Sequence, residues 1–276
     1  MIKNRKLYCR FMMMFISVMA LVLLSGCTAE VDAPLATDAP PEETPVATIV
    51  PTDVPTEEAD LVVTLNTEGI ASGYREEWVA EVSDTENHPY WEVLPEHLRI
   101  TLENYLIGDH LFAPQIFVYP VEELVAINEG AAQNVASLQS LLQSPQEITP
   151  MPLLPLFNAG QTLHVQVQYL DFQTGQGVRY LTMLSQGLNP INNYELIYTY
   201  QGLTNDGRYY VAVILPVHHA DLPPDSSVTS IEPATYTDDY PAYLEDIINR
   251  LNPQSADTFS PDLTALDAMI SSLLVQ

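Results

Sequence analysis

Cysteine is almost missing from this chain, whose 276 residues hold two, Cys9 and Cys27. Cys9 lies inside a basic, then apolar N-terminus of the kind removed on export, which leaves one thiol. A disulfide framework is excluded, and once Cys27 is itself modified so are a thiolate zinc site and a cysteine nucleophile. Lysine is scarce as well: Lys3 and Lys6 are the only two. From residue 27 onward five arginines face thirty-six Asp plus Glu, a formal net charge of −31. A surface of that sign repels phosphate backbones and anionic headgroups, so nucleic acid is not an expected partner and no polybasic patch docks on a membrane. Catalytic signatures are missing too. There is no His-Glu-x-x-His, Walker loop, dinucleotide fingerprint or EF-hand loop, and Ser72 lacks the glycine spacing of a nucleophile elbow.

What the N-terminus does contain is ordered. Lys3, Arg5, Lys6 and Arg10 form a positive region, residues 11–24 are an apolar run, and Leu24-Ser25-Gly26-Cys27 closes it. About fourteen apolar residues match the core of a signal peptide and fall short of a membrane span. Small residues at Ser25 and Gly26 let the chain enter a peptidase extended, and the Cys27 thiol can carry a diacylglyceryl thioether. This stretch resembles the lipobox of bacterial lipoproteins. The resemblance implies a signal peptide over 1–26, acylation of the palmitate type at Cys27, membrane lipid as a partner, and anchoring on the extracytoplasmic face of the cell membrane. Two or more acyl chains anchor stably where one does so marginally.

Residues 27–60 carry six prolines among Thr, Ala, Val and acids, with no basic residue. Proline and like-charge repulsion extend such a segment, giving a spacer of roughly 100 Å at the polyproline rise or about 30 Å as a coil. Residues 61–276 are long enough for one domain with a full core. Strands are expected over 99–106 and 114–119, and a helix with Leu124, Ala131, Val135, Leu138 and Leu141 at helical spacing, broken near Gly130. Residues 163–216 carry the strongest β pattern, in four runs over 164–172, 178–185, 194–202 and 208–215. The first two are joined by a five-residue loop, Gln173-Thr174-Gly175-Gln176-Gly177, and the last two by an Asn205-Asp206-Gly207 turn. Helices close the chain, one capped at Asp239 or Tyr240 and one opened by Ser260-Pro261-Asp262 with proline in its first turn. The expected fold is α+β: an antiparallel sheet of about five to seven strands, flanked by helices as an α/β/α sandwich.

The segment holding Arg179-Tyr180-Leu181-Thr182, Tyr198-Thr199-Tyr200-Gln201-Gly202, Asp206-Gly207-Arg208-Tyr209-Tyr210 and Leu215-Pro216-Val217 resembles a family of uncharacterised bacterial lipoproteins. That resemblance implies a lipid-anchored extracytoplasmic module and carries no catalytic residue. The element order is similar to the α/β/α sandwich of PsbP-type proteins, a non-enzymatic binding fold, although no motif of that family is matched. Five residues are candidates for ligand contact. Arg179 is a cation inside a central strand, where burial demands a partner, either Asp171 across the hairpin or an anionic ligand. Tyr198 and Tyr200 could offer a carbohydrate- or peptide-stacking face, or simply fill the core. His218 and His219 follow a strand beside Asp221, but neighbours in extended chain point oppositely, so no metal and no cofactor is expected. The expected function is a non-catalytic binding or structural domain at the cell envelope, its partner an envelope protein or wall component. The alternative is an envelope hydrolase whose Ser, His and Asp meet only in the fold.

Overall fold

A computed structural model describes residues 61–146, 148–227 and 232–276. The expectations for the signal peptide, Cys27 and the spacer lie outside the described residues. Seven strands form the main sheet: β1 Gly73–Val79, β2 His97–Glu103, β3 Gln115–Pro120, β4 Val165–Phe172, β5 Gly175–Thr182, β6 Ile197–Thr204 and β7 Tyr209–Pro216. Their order is β1-β2-β3-β7-β6-β5-β4, and every neighbouring pair is antiparallel. Two meanders, β1 to β3 and β4 to β7, are thus joined along β3 and β7. β7 stands at the centre beside β6, all eight residues of which are buried, while the edge strands β1 and β4 are largely exposed. Central strands covered on both faces need apolar or hydrogen-bonded residues at both parities, which β6 and β7 supply.

Helices provide the cover. α1 Val121–Ile127 and α2 Glu129–Gln143 bury Leu124, Ala131, Val135, Leu138 and Leu141 against Tyr119, Val178, Tyr180, Tyr210 and Ala212. After the single turn α3 Ala234–Thr237, α4 Tyr240–Leu251 and α5 Leu263–Ser271 bury Ile247, Leu251, Leu263, Leu266 and Met269. These pack on Val118, Leu181, Tyr198, Val211 and Val213. β3, β5, β6 and β7 alternate between the two cores, so the α+β fold has its main sheet flanked by helices.

The stretch around Glu76 and Trp78 is the edge strand β1, whose backbone is satisfied by pairing with β2 along the full length of the strand. Three local expectations are corrected. The helix breaks at Asn128 instead of Gly130: Asn128 is extended and its Oδ1 accepts the Ala131 N–H at 3.0 Å, ending α1 and capping α2. α5 is capped by Asp262, whose Oδ1 accepts the Thr264 N–H at 2.7 Å, so Pro261 stands before the helix and not in its first turn. The β4–β5 loop spans two residues instead of five, with Phe172 directly opposite Gly175. Gly175 and Gly177 belong to β5 because the rings of Phe172 and Tyr200 lie over them, and a Cβ at Gly177 would sit 2.5 Å from the Tyr200 ring. Lack of a side chain is what lets these strands pass beneath the rings.

Candidate functional site

The shorter hairpin changes the partner of Arg179. Asp171 pairs with Gln176, and Arg179 sits opposite Gln168. On the α5 face, where alternation places it with Leu181, the guanidinium meets Asp267 instead: Nε donates to Oδ1 at 3.0 Å and Nη2 to Oδ2 at 2.7 Å. Nη2 also donates to Gln168 Oε1 at 2.7 Å, Nη1 donates to the Gln166 carbonyl, and the Tyr198 hydroxyl donates to Asp267 Oδ1 at 2.9 Å. With Arg179 only 3% exposed and its donors so engaged, this forked pair ties α5 to the sheet. Neither expectation for Arg179, Asp171 as partner or an anionic ligand, describes this arrangement.

Tyr198 and Tyr200 are fully buried and present no stacking face. The Tyr200 hydroxyl donates to the Leu170 carbonyl at 3.0 Å. Burial raises both phenols well above their ordinary range, and Asp267 adds to this at Tyr198, so each stays protonated as a donor. His218 and His219 diverge, as extended chain requires. His219 is buried against Phe259, ring centres 4.7 Å apart, with Nδ1 accepting the Asp221 N–H at 3.2 Å. His218 stacks on His110 at 6.2 Å. Among the described residues no group of three or more His, Cys, Asp or Glu could hold a metal ion.

Ring contacts also bear on nucleophilic chemistry. His88 Nδ1 lies 3.1 Å from Glu92 Oε2, His97 Nδ1 bonds the Pro95 carbonyl at 2.8 Å, and His110 uses Nε2 on the Leu196 carbonyl and Nδ1 on the Phe112 N–H. Burial lowers the pKa of His97, His218 and His219 and brings His110 down to about 4, all favouring neutral rings. Among the described residues, none of these five rings is hydrogen-bonded to a serine or threonine hydroxyl.

Two open clefts share Tyr90, a residue 59% exposed. The larger, about 590 Å³, is lined by Tyr90, Phe157, Asn158, Ala159, Gly160, Ser185 and Gln186. The smaller, about 390 Å³, includes His88, Val93, Asn128, Glu129 and Gln133. The frame of both clefts is fixed by short-range bonds. Asn128 Nδ2 donates to the carbonyls of Tyr90 at 2.7 Å and Val93 at 2.8 Å, so the cap of α2 also holds the aromatic loop. Trp91 meets the Tyr90 ring edge to face at 5.1 Å, and Phe112 meets Phe157 at 5.4 Å. Gly160–Gln161 pairs with Leu184–Ser185, and Gln186 Nε2 donates to the Asn158 carbonyl at 2.6 Å. None of these lining residues was a candidate for ligand contact from sequence, although His88 is one of the histidines open to the dispersed hydrolase site. The available signal was His88-Pro89-Tyr90-Trp91, aromatic residues in a loop that proline keeps out of helix.

No protein-family model, curated protein or solved structure matches this chain.

Proposed function

We propose that the chain is a lipid-anchored module of the bacterial cell envelope, displayed on the extracytoplasmic face, whose domain binds a ligand without transforming it. Cys27 is its acylation site, and residues 27–60 hold the domain away from the membrane. The observation that carries the binding reading is the pair of clefts about Tyr90. An exposed aromatic ring is buttressed by a second ring and anchored through its own carbonyl, which is a preorganised surface with no internal role. Among the described residues, His88, His97, His110, His218 and His219 have no serine or threonine hydroxyl partner, which weighs against the hydrolase alternative at those five rings.

Hydrogen–deuterium exchange on protein purified from native membranes, with and without envelope extract, tests the reading. Protection confined to 84–93, 127–133, 157–160 and 185–186 is expected. Protection elsewhere, or none, defeats it. The anchor is tested separately: Cys27→Ser should accumulate as precursor while the wild type partitions into detergent, and a wild type that stays in the aqueous phase removes the anchor.

A further inference from the structure

We infer that the larger cleft takes an uncharged oligosaccharide stacked on Tyr90, an inference that rests on the binding reading above. Three observations select this class. The first is charge. The seven lining residues include no Asp, Glu, Arg, Lys or His, in a chain carrying a net −31 from residue 27 onward. An anionic ligand meets an opposing field and finds no cation there, and a cationic one finds no carboxylate in the wall. The ligand is therefore neutral.

The second observation is the polar inventory. Among the described residues the Asn158 side-chain amide and the Tyr90 hydroxyl make no hydrogen bond, and Gln186 spends only its Nε2, on the Asn158 carbonyl. Unspent donors and acceptors thus stand side by side, with an amide able to give one bond and receive another. Neighbouring hydroxyls on a sugar ring, each both donor and acceptor, are the complement. A purely apolar ligand would leave these groups unpaired.

The third observation is the aromatic wall. A pyranose presents a face of C–H groups that lies flat on a ring while its hydroxyls reach outward, and Tyr90 offers a ring with polar groups beside it. The Asn128 bond fixes the Tyr90 backbone and the Trp91 ring meets the Tyr90 ring edge to face before any ligand arrives, which limits the ordering cost of binding. Tyr90 also lines the second cleft, whose wall adds His88 and Glu129, so the charge argument holds for the sugar units seated in the larger cleft. An oligosaccharide long enough to pass Tyr90 reaches both clefts.

The test uses the full-length lipoprotein in detergent. The sequence has two tryptophans, so Trp78→Phe, on the exposed edge strand, leaves Trp91 as the sole reporter beside Tyr90. Neutral tetrasaccharides, chitotetraose and cellotetraose, are titrated against tetragalacturonate, an acidic oligosaccharide of equal length. Saturable change in Trp91 fluorescence with a neutral tetrasaccharide and none with the acidic one is expected. Tyr90→Ala and Asn158→Ala should each weaken binding about tenfold at unchanged melting temperature. The proposal is overturned by no saturation to about 10 mM with folded protein, by tighter binding of the acidic chain, or by binding indifferent to Tyr90. If envelope extract still protects 84–93 and 157–160 from exchange while the neutral sugars fail, the sugar assignment falls and the binding module stands. If neither protects, both fall.

Discussion

Replacing Arg179 and Asp267 by apolar residues, singly and together, separates a structural ion pair from a ligand site. Arg179→Met leaves the Asp267 carboxylate, 15% exposed, with the Tyr198 hydroxyl as its side-chain donor. Asp267→Leu leaves a guanidinium, 3% exposed, holding Gln168 and the Gln166 carbonyl but no counter-charge. Removing one member of a buried pair costs roughly 3–5 kcal/mol, because the survivor stays out of water uncompensated. Removing both eliminates that penalty. What then remains unpaired is the buried Tyr198 hydroxyl, at about 1–3 kcal/mol, while the half-buried Gln166 carbonyl and the exposed Gln168 side chain turn to solvent. The double variant should thus lose about 2 kcal/mol where the single losses sum to about 6–10, a coupling of at least about 4 kcal/mol. Equilibrium urea unfolding followed by circular dichroism reads each value, and an unchanged slope confirms that the same surface unfolds. In melting temperature each single variant should fall by roughly 10 °C in a domain of this size. Pairing Arg179→Met with Asp171→Ala should give additive losses, since the hairpin register sets those side chains apart. Additive losses at Arg179 and Asp267, or a single loss below about 1 kcal/mol, would refute the reasoning.

Three further outcomes follow from packing and protonation. Gly177→Ala drives a methyl into the Tyr200 ring and the Gln201 carbonyl, and should cost about 3 kcal/mol or prevent folding, whereas Gly187→Ala, with open space around it, should lie within about 1 kcal/mol of wild type. Equal stabilities would contradict the ring-over-glycine packing. Acid should destabilise the fold through buried imidazoles. The pKa of His110 is lowered from 6.5 to about 4, chiefly by burial and also by His218, with the Leu196 and Phe112 backbone bonds and Asp109 opposing. A depressed base binds its proton first in the unfolded chain, so its stability contribution is complete above pH 6.5 and drains as pH falls towards 4. Allowing for partial solvent access this is about 1 kcal/mol at pH 5, or a melting point roughly 2–4 °C lower. His97, His218 and His219 shift the same way. From composition alone the opposite is expected, because acid relieves repulsion among thirty-one net negatives. Few ordinary carboxylates protonate above pH 5, so the imidazoles decide the sign, and a melting point that rises between pH 7 and 5 would show that charge repulsion dominates. Added salt at pH 7 should raise the melting temperature by screening the surface acids, and a flat response would mean that they are too dispersed to matter.

Local signals located the elements well where they act within a few residues. The Asn205-Asp206-Gly207 turn and the β-branched, aromatic runs around it mark β6 and β7, and Asp239 caps α4 with its side chain on the Ala242 N–H at 3.2 Å. Alternation also put Arg179 on the face it shares with Leu181 and Met183. The caps at Asn128 and Asp262 each moved a helix boundary by one or two residues, and the larger misreading came where a distant ring decided the local outcome. Gly175 and Gly177 read as loop because glycine disfavours strands, yet β5 needs both so that Phe172 and Tyr200 can lie across it. That difference shortened the hairpin and took Asp171 away from Arg179.

The amino-acid sequence by itself determined the scarcity of thiols and cations, the lipobox resemblance and the two-period alternation that yields a helix-flanked antiparallel sheet. Each of these is carried by residue type and short-range spacing. Only the tertiary structure decided the remaining features: that α5 brings Asp267 to Arg179 across 88 positions, that Tyr198 and Tyr200 are core, and that Tyr90 adjoins Phe157, Asn158 and Gln186. The reason is physical. A loop's side chains have no period, so which of them meet is fixed by how the elements they connect pack, and that packing is a property of the whole core.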